Sequence, residues 1–317
     1  MTMKHQLLLA ILLSVSPFGF LRRLDAGDRA ARTPRTQYDA GDPTLGEQLV
    51  LESINRARAN PNAEGARLRI DINEGLLPAD GTPPDLAAAQ IQVQAKVQPP
   101  LAMNKILLGT ARTHSQEMYA NNYFAHDDLS AKTPFDRMTA AGYNWNLAGE
   151  NIAAATRSEE IQLENDLMVD AAMPGRGHRV NLLDIRKDDV FQEVGVGYFH
   201  GPAPNTHDYA DFITQDFGTS TQGPFVLGVV YDDKNKNDVY DSGEGISGVT
   251  VTCDSGNFFA VTSTSGGYAI PVAKTGTITL TFSGGPLALS VAKTITLAGT
   301  NVKVDMKASE ALPKENR

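Results

Sequence analysis

Four short phrases in the middle of the chain set polar side chains able to do chemistry beside residues of core type. They are Tyr123-Phe124-Ala125-His126, Ala141-Gly142-Tyr143, Gly149-Glu150-Asn151-Ile152-Ala153 and Gly177-His178-Arg179-Val180-Asn181-Leu182-Leu183. Neutral imidazoles with one or two carboxylates nearby can hold Zn²⁺ or a similar divalent ion, with the acids as ligands or as partners that fix the ring tautomers. The same groups also suit a metal-free reading, in which His126 and Glu150 form one charge-assisted hydrogen bond that ties distant segments together. No nucleophile accompanies them at a recognisable spacing. His114 differs, because it falls on the apolar face of a helix and belongs to packing. Arg176 and Arg179 flank His178, where they either attract an anion or form ordinary ion pairs.

A second constellation runs from Asp233 to Glu244. Asp233, Asn235, Asn237, Asp241 and Glu244 stand at positions 1, 3, 5, 9 and 12, and the carbonyl of Val239 at position 7, of a twelve-residue loop. Those positions wrap an oxygen-seeking ion, so this segment is expected to bind Ca²⁺. Position 6 is Asp238 where an EF-hand has glycine, and the flanks read as strands, so the loop is not an EF-hand.

The elements that must position these groups follow from periodicity. Thr44 and Glu47 have capping-box spacing before a helix that stops at Asn60-Pro61, and Asn104 caps a second one with Leu107, Leu108, Ala111, His114, Ser115 and Met118 on one face. A third is expected over 159–172, and 78–100 reads as a loop with one weak helical stretch. Runs 194–199 and 209–217 read as neighbouring strands. After Thr219-Ser220-Thr221-Gln222-Gly223-Pro224 the composition turns to Val, Thr, Gly and Ser, and strands at 226–231, 249–253, 258–262, 268–272, 277–282 and 302–306 suffice for a small β-sandwich.

A formal net charge of −9 argues against nucleic acid as partner. Lys4 followed by the apolar run 7–15 has the form of a signal peptide over 1–21 and is too short to span a bilayer; no other segment reads as a transmembrane span. Export to an extracellular, periplasmic or cell-surface location is therefore expected. Residues 22–43 read as a flexible leader, 309–317 as a polar tail without an anchoring signal, and the single Cys253 as a buried small hydrophobe.

The four phrases, with Leu51-Glu52-Ser53-Ile54-Asn55-Arg56-Ala57-Arg58, His114-Ser115-Gln116-Glu117-Met118, Pro134-Phe135-Asp136-Arg137 and Val194-Gly195-Val196-Gly197, resemble the CAP superfamily of cysteine-rich secretory, antigen 5 and pathogenesis-related 1 proteins in its bacterial, SCP-like form. The likeness covers 44–220 and implies an α+β fold, an α-β-α sandwich with a central cleft presenting two histidines and two acids. His126, Glu150 and His178 match by motif; Asp170, in Leu167-Met168-Val169-Asp170, takes the second acidic place. Residues 221–308 resemble the SdrD B-like, Cna B-like surface modules, in which calcium stiffens an all-β sandwich. Together the resemblances imply an exported binding module, for a small apolar ligand, an ion or a surface partner, rather than an enzyme. A metal-dependent hydrolase acting on peptide or envelope polymer, and a purely structural surface protein, are the alternatives.

Overall fold

The structure, a computed structural model, describes residues 34–76, 94–171, 173–185 and 190–313. The expected signal peptide and most of the expected helical stretch within 78–100 lie outside the described residues. Thr44 opens helix α1 (Leu45–Ala59) with a reciprocal capping box, accepting the Glu47 amide while Glu47 accepts the Thr44 amide. Asn60 ends that helix and caps the next, α2 (Pro61–Leu68), whose first residue is the proline that α1 could not accommodate.

A four-stranded sheet forms the centre of the first half, in the order β2 (Ala102–Met103), β4 (Glu193–His200), β5 (Asp211–Thr219), β3 (Leu147–Ala155). β5 runs antiparallel to both neighbours, as the paired strand runs predict. Alternation along the strands gives the sheet two working faces. Val194, Val196, Ile213 and Phe217 pack with Val50 and Ile54 of α1, with Leu163 and Leu167 of α5 (Glu160–Val169), and with Leu182 and Leu183 of α6 (Gly177–Leu183). The other face carries α3 (Lys105–Ala120) and α4 (Pro134–Ala140). The result is the expected α-β-α sandwich.

The valine-glycine alternation of β4 has a steric reason. A Cβ on Gly195 would lie 1.9 Å from the Leu107 carbonyl carbon, and one on Gly197 would lie 2.1 Å from the Arg112 amide nitrogen. Helix α3 thus rests directly on the β4 backbone, at a separation that only glycine permits.

The second half is a sandwich of two sheets. In one, β6 (Phe225–Tyr231) pairs with β9 (Gly267–Pro271), β12 (Val302–Lys303) and β13 (Met306–Lys307). In the other the order is β1 (Thr36–Gln37), β8 (Phe258–Val261), β7 (Thr250–Cys253), β10 (Gly276–Ser283), β11 (Val291–Leu297). Cys253 is fully buried between them with Val230, Ile270, Leu280 and Phe282. Strand β11 is absent from the sequence reading because only Leu297 in it is fully buried, which leaves an edge strand with little apolar signal.

One expectation needs correction. The stretch 34–43 is not a free leader: β1 pairs in parallel with β8, Tyr38 packs edge-on to Phe258, and Asp42 accepts from Thr264. Local composition lacks an apolar period there, and the order comes from a distant sheet edge. The two halves also contact each other directly among the described residues. Asn301 donates to the carbonyls of Pro100 (2.9 Å) and Gln192 (2.8 Å), and Lys303 pairs with the mostly buried Glu52 of α1 at 2.8 Å.

Candidate functional site

Glu150 leaves β3 toward α3 and α4 and is 8% exposed. Its two oxygens have separate partners: His126 Nδ1 lies 2.7 Å from Oε1, and the Arg137 guanidinium donates to Oε2 at 2.6 Å. The loop that carries His126 is fixed from both ends. Asp128 accepts the amides of Ser130 and Lys132, Thr133 and Asp136 form a capping box that starts α4, and Arg137 on that helix donates to the His126 carbonyl at 2.7 Å. One arginine therefore holds both the acid and the backbone of the histidine.

His178 has its own acid. Asp170 ends α5 in the left-handed conformation (φ 49°), and its carboxylate accepts His178 Nδ1 at 2.8 Å and the His178 amide at 2.9 Å. The sequence assignment of Asp170 to this position thus coincides with a direct contact. The flanking arginines serve the backbone rather than an anion. Arg179 is 1% exposed and donates to the carbonyls of Met168, Ile72 and Glu74, while Arg176 donates to those of Asp170 and Ala171 and pairs with Glu74.

A ladder of amides connects this second pair to the sheet. Asn151 donates to the His178 carbonyl (3.1 Å) and to Gln215 Oε1 (3.2 Å), Asn181 donates to Asn151 Oδ1 (2.8 Å), and Gln215 donates to Glu164. Burial pushes the Glu164 carboxyl up to about 8, so at neutral pH it sits in the core as a neutral acid. His114 is fully buried, donates from Nε2 to the Ala125 carbonyl (3.0 Å) and faces Tyr123, with burial lowering its pKa. It is a packing residue, as its helical position implies.

In the neutral form of each ring, a carboxylate at Nδ1 favours the proton on that nitrogen and leaves Nε2 as an acceptor. The His126 side chain is 50% exposed and that of His178 19%. Glu150 and Asn151 are consecutive on β3, the outermost strand of its sheet, so the two histidines are anchored on opposite faces of one edge. They form two His-carboxylate pairs, not one four-donor cluster. Among the described residues no three His, Cys, Asp or Glu side chains are gathered to hold a metal, and Arg137 already occupies Glu150, so this donor set does not fit Zn²⁺. Sequence reasoning missed Glu164 and Asp216, which back the site from the neighbouring helix and strand. Both stand among other polar residues, Gln162-Leu163-Glu164-Asn165-Asp166 and Thr214-Gln215-Asp216, so no signal in the sequence marks them.

In the acidic loop, Asn235 and Asn237 both direct their carboxamides at Asp241 Oδ2, each at 2.7 Å. Asp233 Oδ1 and Asn235 Oδ1 converge on the Asn237 amide, and Glu244, 5% exposed, accepts the amides of Lys234 and Asp241. The loop offers side-chain oxygens of the kind a hard cation takes, here engaged by amides and by Lys307, and its acids Asp233, Asp241 and Glu244 are not gathered into one cluster. Lys307 donates to Asp233 and Asp238 at the rim. Tyr240, in the middle of the loop, is buried against Tyr231 and Leu49 of α1.

Comparison with known proteins adds the following. The CAP family profile, described as the cysteine-rich secretory protein family, matches residues 51–217. The uncharacterized protein YkwD of Bacillus subtilis (strain 168) is 37% identical over 99 residues, which is 31% of this chain and 35% of that relative. An extracellular protein containing a SCP domain from Bacillus anthracis, known as a crystal structure, is 33% identical over 38% of this chain and 34% of its own, with a TM-score of 0.30. An outer surface protein from Borrelia burgdorferi is 16% identical, covers 59% of this chain and 99% of its own, and has a TM-score of 0.35. The chain thus spans about a third of the first two relatives.

The Arg137 contact can be tested directly. Replacing Arg137 with Met leaves a buried carboxylate short of its cation, and urea unfolding should show a loss of about 3–5 kcal/mol. The double variant Arg137→Met/Glu150→Gln should recover part of it. A single variant as stable as wild type would contradict the assignment.

Proposed function

This chain belongs to the cysteine-rich secretory protein (CAP) family, and from that premise we propose that it is an exported binding module whose His126 and His178 edge receives a small ligand with an apolar body. The observation that carries this reading is the pairing of each imidazole Nδ1 with a buried acid, which in the neutral ring orients Nε2 to accept a donor from a guest. Apolar surface accompanies the first pair. Phe124 (44% exposed) lies two residues before His126, and Phe135 (40%) and Trp145 (39%) meet at a tilt of 48° with centroids 5.6 Å apart, at the start of α4 and before β3. Binding is favoured over metal-dependent hydrolysis because the pairs leave one free ring nitrogen each and no third donor among the described residues.

In the same reading the acidic loop holds Ca²⁺ through Asp233, Asn235, Asn237, Val239, Asp241 and Glu244, and stiffens the β half. Because Tyr240 of that loop packs on α1, the ion would also stiffen the junction that presents the histidine edge.

The chain contains one tryptophan, so its fluorescence reports on the proposed apolar wall. Titration with a long-chain fatty alcohol should shift Trp145 emission saturably, and His126→Ala or Phe135→Ala should weaken binding roughly tenfold, equivalent to about 1.4 kcal/mol. No saturable response in the wild type would reject an apolar guest, and hydrolysis of peptide or envelope polymer that stops on chelation would favour the enzyme reading.

For the loop, calcium at a hundred times its Kd should raise stability by about 2.7 kcal/mol. Scanning calorimetry should record the rise and its removal by chelator, with Asp241→Ala/Glu244→Gln unresponsive. A wild-type melting temperature indifferent to calcium would contradict the assignment.

A further inference from the structure

Asp216 stands directly opposite Glu150 in the β3–β5 ladder, and both side chains leave the sheet on the face covered by α3 and α4. Facing residues of an antiparallel pair have Cβ atoms about 4.5–5.5 Å apart, which brings two carboxyl groups within reach of each other. Asp216 is 1% exposed, and Thr110 of α3 donates to its Oδ2 at 2.5 Å. Its Oδ1 is buried with no hydrogen-bond donor among the described residues. Glu150 has one oxygen on His126 and the other on Arg137, both partners that favour its carboxylate.

Two adjacent ionised carboxylates out of water would repel strongly, and a proton between them converts repulsion into a hydrogen bond. We propose that Asp216 is a neutral carboxylic acid whose Oδ1 hydroxyl donates to Glu150, so that Glu150 carries the pair's single negative charge and stays aligned on His126 and Arg137. Asp216 is then a positioning residue for the histidine edge. The remaining groups around it agree. Thr110 satisfies the second oxygen, His114 of α3 is kept neutral by burial, and the positive charge of Arg137 is directed to Glu150. Desolvation first and the Glu150 charge second push the Asp216 pKa well up, against the smaller opposing effects of Thr110 and Arg137.

The inference rests on the His126–Glu150 contact but on no ligand, so it stands or falls separately from the binding assay. Asp216→Asn is the isosteric mimic: its amide donates to Glu150 while its oxygen accepts from Thr110. An acid whose pKa is raised by folding contributes stability that is full below the ordinary carboxylate range and lost as pH rises toward the folded value. Asn does not titrate. The wild type should therefore lose stability relative to Asp216→Asn as pH rises from 4 to 9, by up to tenfold in the unfolding equilibrium constant per pH unit. Glu164 is common to both proteins and cancels.

The ring resonances of His126 should be kept in Asp216→Asn and displaced in Asp216→Val, which has no donor. A gap that does not change with pH, or a wild type that gains on the variant as pH rises, would overturn the proposal. Should the position 216 variants fail to fold, infrared spectra of the Glu52→Gln/Glu164→Gln protein, which removes the other buried acids of raised pKa, serve instead. A protonated-carboxyl C=O band at neutral pH supports the proposal, and its absence refutes it.

Discussion

A carboxylate buried at the edge of the first sheet governs the local architecture. Glu150 is nearly out of water, and a charge there is tolerable only with partners of fixed geometry. Those partners come from three separate segments: Arg137 from α4, His126 from the loop before it, and Asp216 from the neighbouring strand. Meeting the needs of one acid therefore fixes the helix, the loop and the imidazole together. The tight seating of α3 over Gly195 and Gly197 brings Thr110 onto Asp216 and completes the enclosure.

The second histidine is organised by a different device. Asp170 serves as the terminal residue of α5 and as the carboxylate that receives both the amide and the ring of His178. A left-handed helix end followed by a short turn returns the chain to its own carboxylate, so this pair is local where the first is long-range. The buried Arg179 beneath it holds carbonyls of the loop 71–74.

Much of this was legible in the residues. The caps at Thr44 and Asn104, the face of α3, the alternation of β4 and β5 and the change of composition near Pro224 follow from spacing alone. His126, Glu150, His178 and Asp170 could be named because they lie in distinctive phrases, but which acid meets which ring depends on strand register and helix ends. Asp216 and Glu164 escaped because each stands among polar residues in the sequence, and only the packing of strand and helix buries them. Residues 34–43 escaped for a related reason: Thr36 and Gln37 are ordered by the edge of β8, more than two hundred residues along the chain. The same long-range logic joins the two halves, where Lys303 neutralises Glu52 and Tyr240 sets the acidic loop against α1.

The central claim is that both imidazoles present a bare Nε2 because acids hold their Nδ1 protons. Nitrogen-15 NMR of histidine-labelled protein near pH 8 measures this most directly. The account predicts protonated Nδ1 and unprotonated Nε2 on both His126 and His178; the reverse tautomer on either ring would contradict it.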